Sequence, residues 1–225
     1  NRGKKCRAID LNDAEQLEEL IKLIAEADVL IENFKVGGLR KFGLDYEELQ
    51  KLNPRLIYCS VTGFGQTGPY AARAGYDFLI QGMSGIMDVT GTPEGEPQKI
   101  GVAFADIFAG LYGVVGIQAA LADRMKTGLG QQVDISLFDC MTGVLANQAM
   151  NYLASGTTPT RLGNAHPNIV PYQTFAVADG HIIVACGNDR QFQALCATLN
   201  AGAIADDPAY ATNPARVEHR EALTA

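Results

Sequence analysis

The stretch DVLIENFKVGGLRKFGLDYEELQKLNPRLIYCSVT, residues 28–62, decides the fold. It opens on Asp28-Val-Leu-Ile-Glu32 and closes on Arg55-Leu-Ile-Tyr-Cys-Ser-Val-Thr62, two runs rich in aliphatic and β-branched side chains that read as strands. Between them Gly37-Gly38 breaks the chain, and Tyr46-Glu-Glu-Leu49 reads as a helix. Upstream, Leu17, Leu20, Ile21 and Ile24 recur at helical spacing, which predicts a helix capped by Asn12 or Asp13 and running to Ala27. Cys6-Arg-Ala-Ile-Asp10 reads as one more strand. This β-α-β-α-β alternation predicts an α/β fold, a Rossmann-like parallel sheet flanked by helices.

Downstream, Gly63-Phe-Gly-Gln-Thr-Gly-Pro69 reads as a loop, followed by a helix from about Tyr76 to Gly85. A turn-rich stretch surrounds Gly91-Thr-Pro-Glu-Gly95. A long helix is expected over Ile107 to Lys126, stopped by Gly128 and Gly130. Gln132-Val-Asp-Ile-Ser136 reads as a strand, and Leu137 to Leu153 as one helix. From Ser155 to Pro171, Gly, Pro, Thr and Asn occur without periodicity. We therefore expect a large domain over residues 1–154, and a linker with a smaller α+β domain over 155–225. In that second part Asp179-Gly180 forms a hairpin turn between two strand-like runs, a helix follows from Asp189 to Leu199, and an acidic tail reads as helical.

Composition excludes several classes. A formal net charge of −7 argues against nucleic acid as a partner, because phosphate binding needs a clustered excess of Lys and Arg. Two local groups, Arg2, Lys4, Lys5, Arg7 and Lys35, Arg40, Lys41, are either solvated surface or a grip for one small anion. The five cysteines are scattered without a C-x-x-C pair, which points to a reduced, cytoplasmic compartment. Three histidines without ligand spacing give no metal site. The apolar run Val102 to Leu121 is long enough to raise a membrane span, but its Ala and Gly content and its Asp106 fit a soluble core helix better, so no membrane is expected. The chain opens on Asn1-Arg2-Gly3 without Met, and we expect a missing natural start.

Among the motifs, Gly63-x-Gly65-x-x-Gly68 imitates a dinucleotide fingerprint, but Pro69-Tyr70 does not open an amphipathic helix. Gln81-Gly-Met-Ser-Gly85 lacks the spacing of a nucleophile elbow. Cys59 and Cys140 fall in predicted element interiors, where a thiol is usually an inert small hydrophobe. Asp106 stands at the mouth of the long helix, and two roles are open to it there. It is either an N-cap that satisfies orphan backbone N–H groups, or a nucleophile kept ionised by the helix dipole.

Read together, Ala27-Asp-Val-Leu-Ile-Glu-Asn-Phe34, Asn53-Pro-Arg-Leu-Ile-Tyr58, Gly63-Phe-Gly-Gln-Thr-Gly-Pro69, Gly75-Tyr-Asp77, the Asp106 helix and Lys126-Thr-Gly-Leu-Gly-Gln131 resemble the family III coenzyme A transferases, the CaiB/BaiF group. A weaker likeness continues in Val177-Ala-Asp-Gly180 and Gly187-Asn-Asp-Arg190. The resemblance implies an enzyme that moves coenzyme A between acyl-CoA and small carboxylic acids, with CoA as substrate and no tightly bound cofactor. It implies that Asp106 attacks the thioester, and that Asn33, Phe34, Lys35, Lys41, Arg73, Ala74 and Tyr76 contact CoA, with Leu11 lining the same crevice. Lys41 stands where an Arg is common, keeping charge but not bidentate geometry. The family's first strand and helix have no counterpart before Asn1, and members form interlocked homodimers, so a dimer is implied for the full-length protein. Two other readings are acyl-CoA racemase, whose base would stand at Tyr76, and a non-catalytic CoA-binding module. A phenol with an ordinary pKa near 10 is a poor base at neutral pH.

Overall fold

The computed structural model describes residues 2–225, which divide into two compact units. One comprises the residues up to Ile86 together with Lys99–Ala146, and the other Met87–Gln98 together with Asn147–Ala225.

In the first unit the order is α1 (Ala14–Ala25), β1 (Val29–Glu32), α2 (Tyr46–Leu52), β2 (Ile57–Thr62), α3 (Asp77–Met83), α4 (Phe104–Thr127), β3 (Gln132–Ser136) and α5 (Leu137–Val144). The three strands are parallel in the order β1-β2-β3. Alternation along the strands gives the sheet two different faces. Cys59, Val61, Val133 and Ile135 pack with Ala105, Ala109 and Ile117 of α4. On the other face Leu30 and Tyr58 pack with Ile24 of α1, Leu49 of α2 and the loop residues Leu39 and Leu44. Burying each such aliphatic side chain contributes roughly 1.5–3 kcal/mol.

The expected α/β architecture is thus observed: a parallel sheet flanked by helices. Asp13 caps α1, its carboxylate accepting from the N–H groups of Glu15 and Gln16. The small residues Ala105, Ala109, Gly113 and Ala120 form the buried stripe that lets α4 lie close to the sheet. At the far end of α4, Arg124 donates to the Arg55 carbonyl at 2.9 Å and to the Asp28 carboxylate at 2.7 Å, tying the helix to the entrances of β1 and β2. The opposite face of α4 leaves Ile107, Leu111, Val114 and Val115 exposed. By length and composition alone, α4 is apolar enough to cross a membrane.

Three expectations need correction. Cys6–Asp10 is not a strand, because no strand lies beside it among the described residues and an extended run without a ladder is merely extended chain. The single helix expected over Leu137–Leu153 is two, α5 and α6 (Ala146–Ser155), broken where Ala146 turns left-handed at φ 45°. Finally, α4 starts three residues earlier than expected, at Phe104, so Asp106 lies inside its first turn and not at its cap.

The second unit carries the antiparallel hairpin β4 (Tyr172–Val177) and β5 (Gly180–Ala185), then α7 (Asp189–Thr198), α8 (Gly202–Ala205), α9 (Asn213–Glu218) and α10 (Arg220–Thr224). Its fixed point is Arg216, which has no exposed surface. The guanidinium donates to the carbonyls of Val170 and Tyr210 at 2.8 and 2.9 Å and to the Asp189 carboxylate at 2.8 Å, and it lies over the Phe192 ring.

Candidate acyl-CoA site

In open parallel sheets, ligands bind beyond the carboxyl ends of the strands. Here a cleft of about 300 Å³ opens at the carboxyl ends of β1 and β2. Its walls are the segment Asn33–Val36 after β1, Thr62 and Gly63 at the end of β2, and the loop Ala71–Tyr76 that leads into α3.

Each wall is held by a local device. Asn33 donates from Nδ2 to the Val61 carbonyl at 2.5 Å, which ties the exit of β1 to β2. The Phe34 N–H donates to the Glu32 carboxylate at 2.8 Å. Gly63 and Gly75 press backbone against backbone: a Cβ on Gly63 would stand 2.5 Å from the Gly75 Cα, so neither position has room for a side chain. Gly65 sits at φ 81°, where the following Gln66 N–H donates to Asp134 at 2.9 Å. Arg73 stacks on Tyr70, 4.3 Å from the ring centroid, and Tyr70 meets the buried Phe64 edge-on. The Arg73 cation is therefore pinned at the rim.

One buried group is left over. Thr62 is only 9% exposed, yet its hydroxyl has no hydrogen-bond partner. It lines the cleft.

Asp106 is exposed near the start of α4 and accepts no hydrogen bond among the described residues. The open choice between cap and nucleophile resolves against the cap, since the Ala105 N–H in the first turn is satisfied instead by Asp77, whose Oδ1 accepts it at 2.8 Å. Partial burial, followed by the negative charge of Asp77, raises the Asp106 carboxyl above its ordinary range. Such a carboxylate is more basic than a free one and carries no bond that an attack would have to break.

Of the residues singled out beforehand, the structure brings Asn33, Phe34, Lys35, Arg73, Ala74 and Tyr76 together around the cleft. Lys41 and Leu11 do not line it. Lys41 lies over the neighbouring Phe42 ring at 4.4 Å, and Leu11 packs against the cluster of Ile24 and Leu39. The rejected nucleophiles stay out of play: Ser84 donates to the Gln81 carbonyl, and burial pushes the Cys59 and Cys140 thiols up. Among the described residues no group of His, Cys, Asp and Glu forms a metal site. Sequence reasoning missed Thr62 and the bridging role of Asp77. Only Gly75-Tyr-Asp77 carried a signal, and it drew attention to the tyrosine.

The first unit thus combines a parallel sheet, a cleft at its carboxyl end whose walls carry the cations Lys35 and Arg73, and, outside that lining, an Asp106 carboxylate in the first turn of α4. The sequence profile of CoA-transferase family III matches residues 1–225, and the chain belongs to that family. It is 60% identical over 220 residues to the succinate–glutarate CoA-transferase of Agrobacterium fabrum, covering 98% of this chain and 55% of that protein. It is 41% identical over 226 residues to the acetyl-CoA:oxalate CoA-transferase of Acetobacter aceti, covering 100% and 58%. A solved CaiB/BaiF family protein from Brucella suis superposes with a TM-score of 0.82 at 65% identity, over 99% of this chain and 59% of that one. The chain spans a little over half the length of these relatives.

Proposed function

We propose that the protein transfers coenzyme A from an acyl-CoA donor to a small carboxylic acid, with Asp106 as covalent nucleophile. The observation that carries this reading is the unbonded Asp106 carboxylate, raised in basicity and adjoining Ala105, whose N–H is held by Asp77 next to the cleft-lining Tyr76.

An Asp106 carboxylate oxygen attacks the thioester carbonyl carbon, the C–S bond breaks, and CoA leaves as thiolate. The thiolate then attacks the Asp106 carbonyl of the mixed anhydride, releasing the donor carboxylate and leaving an aspartyl-CoA thioester. The acceptor carboxylate attacks that thioester and expels the thiolate again. The thiolate takes the acceptor's acyl carbon, which frees new acyl-CoA and restores Asp106. No electron changes hands and no proton is consumed. Splitting one exchange into these acyl transfers is covalent catalysis, and the anhydride demands exclusion of water.

In this reading the cations of Lys35 and Arg73 face the CoA phosphates, Asn33, Phe34, Ala74 and Tyr76 flank the carrier, and Lys41 and Leu11 extend the contact for a ligand longer than the cleft. Small dicarboxylates are proposed as substrates because the relatives named above act on succinate, glutarate and oxalate. A cytoplasmic location fits the scattered cysteines, which are all free. A homodimer, interlocked in the full-length protein, gives a partner to the exposed apolar row of α4, which would then face protein and not lipid.

The test uses full-length protein with succinyl-CoA and a panel of glutarate, oxalate and mesaconate. The unmodified protein should exchange CoA and accumulate an adduct that hydroxylamine converts to the Asp106 hydroxamate, mapped by mass spectrometry. Asp106→Asn should lose activity by at least ~10³-fold. It should also remain folded, and the sign is set by the raised carboxyl. Ionising a group whose folded-state pKa is raised costs stability once pH climbs through that pKa, so the neutral amide should melt no lower at pH 7 and lose any advantage below the carboxylate range. Undiminished exchange by Asp106→Asn would refute the assignment.

A further inference from the structure

The start of α4 lacks a cap of its own. Ala103 occupies the cap position, at φ −71° and ψ 72°, and has no side chain to offer. Asp77, the first residue of α3, supplies the missing acceptor from another helix. Its second oxygen is also used: Oδ2 accepts from Gln81 Nε2 at 2.9 Å, one turn along α3.

Gln81 is fully buried and does more than orient this carboxylate. Its Oε1 accepts the Ile100 N–H at 2.9 Å, and its Nε2 also reaches the Val102 carbonyl at 3.4 Å. The segment leading into α4 and the first turn of α4 are thus both fastened to α3. Only a carboxylate fits between the two donors, since an amide at position 77 would turn an N–H₂ toward either Gln81 or Ala105.

Resting on the reading of Asp106 as nucleophile, we propose that Asp77 is its positioning residue, registering Asp106 against the cleft while leaving both Asp106 oxygens free. The connectivity is short. Tyr76 lines the cleft and adjoins Asp77, and Ala105, which Asp77 holds, adjoins Asp106. One hydrogen bond therefore links the residue after the cleft-lining Tyr76 to the residue before Asp106. Nucleophilic attack requires reacting atoms within about 3–3.5 Å and aligned, and a misplacement near 1 Å costs about 100-fold in rate. Asp77 also stands close enough to raise the Asp106 carboxyl by its charge, which accords with this placement.

The experiment compares Asp77→Ala, Asp77→Asn and Asp77→Ala/Ala103→Ser in full-length protein mixed with succinyl-CoA under single-turnover conditions. It reads the first-order rate of adduct formation at Asp106 and, separately, the dissociation constant for free CoA. A positioning role predicts that Asp77→Ala slows adduct formation about 100-fold with CoA affinity changed less than about 3-fold. Asp77→Asn keeps an acceptor for Ala105 but sets a donor against Gln81, and should fall between the two. The local cap in Asp77→Ala/Ala103→Ser should restore melting temperature without restoring rate. Full recovery of rate by that cap would overturn the proposal and leave Asp77 as a helix cap only. Equal losses in rate and CoA affinity would overturn it as well. If Asp77→Ala does not fold, Asp77→Asn decides, and adduct formation at the unmodified rate sinks the inference. Adduct forming on a residue other than Asp106 in unmodified protein would instead refute the parent reading.

Discussion

Arg216 and Asp106 are charged residues that their two units treat in opposite ways. Arg216 is wholly buried, and its guanidinium is spent on two backbone carbonyls, one carboxylate and one aromatic face. Asp106 lies in a helix whose first-turn donor has been taken by another residue, so its oxygens are unspoken for, and in the cleft wall Thr62 hides a hydroxyl without a partner. A buried polar group with every valence used is a device of folding, because leaving any of them unmade would cost stability. The unmade hydroxyl of Thr62 in the cleft wall points the other way: the fold tolerates a cost there that a ligand can recover.

The comparison breaks most visibly at Arg216. Replacement by Met keeps the apolar contact with Phe192 but leaves two buried carbonyls and Asp189 without their donor, and should destabilise the protein by about 3 kcal/mol. Urea unfolding measures the loss, and CoA affinity under conditions where the variant is still folded should be unchanged. A variant that lost affinity while folded would show that Arg216 serves the site as well as the fold. A smaller effect is expected at Gly63, where Ala must push the Gly75 backbone away. Gly63→Ala should cost about 2 kcal/mol of stability through overpacking. Because the displaced loop carries Arg73 and Tyr76, CoA binding by titration calorimetry should weaken as well.

How much of this was legible beforehand follows the range of the interactions. The parallel sheet could be read because Val29–Glu32, Ile57–Thr62 and Gln132–Ser136 each announce themselves through local composition. Cys6–Asp10 also reads as a strand and is not one, since strand formation depends on a neighbour that local pattern does not report. The cap reading left open for Asp106 fails for a similar reason. A capping rule searches the residues next to the helix, whereas Asp77 comes from 28 positions away. Six cleft residues were named in advance through the family's short phrases, which are contiguous in sequence. Thr62 was invisible because an unsatisfied hydroxyl is defined by what fails to surround it, and that is a property of the folded chain alone.

Thr62 also offers the smallest and sharpest test. Thr62→Val replaces the hydroxyl by a methyl of similar size at a position with little exposed surface and no hydrogen bond to lose. In the empty protein the change removes an unsatisfied buried group, so stability should rise, by about 1 kcal/mol. If the hydroxyl is instead spent on a bound ligand, the same substitution deletes one neutral hydrogen bond in the complex, and affinity for acyl-CoA should fall about fivefold, close to 1 kcal/mol. The two effects have opposite signs and are read by different measurements, thermal melting without ligand and equilibrium titration with it. A rise in stability with unchanged affinity would mark the hydroxyl as an imperfection of packing. A fall in stability would mean that the hydroxyl already has a partner in solution, such as an ordered water, and the contrast with Arg216 would then lose one of its two supports.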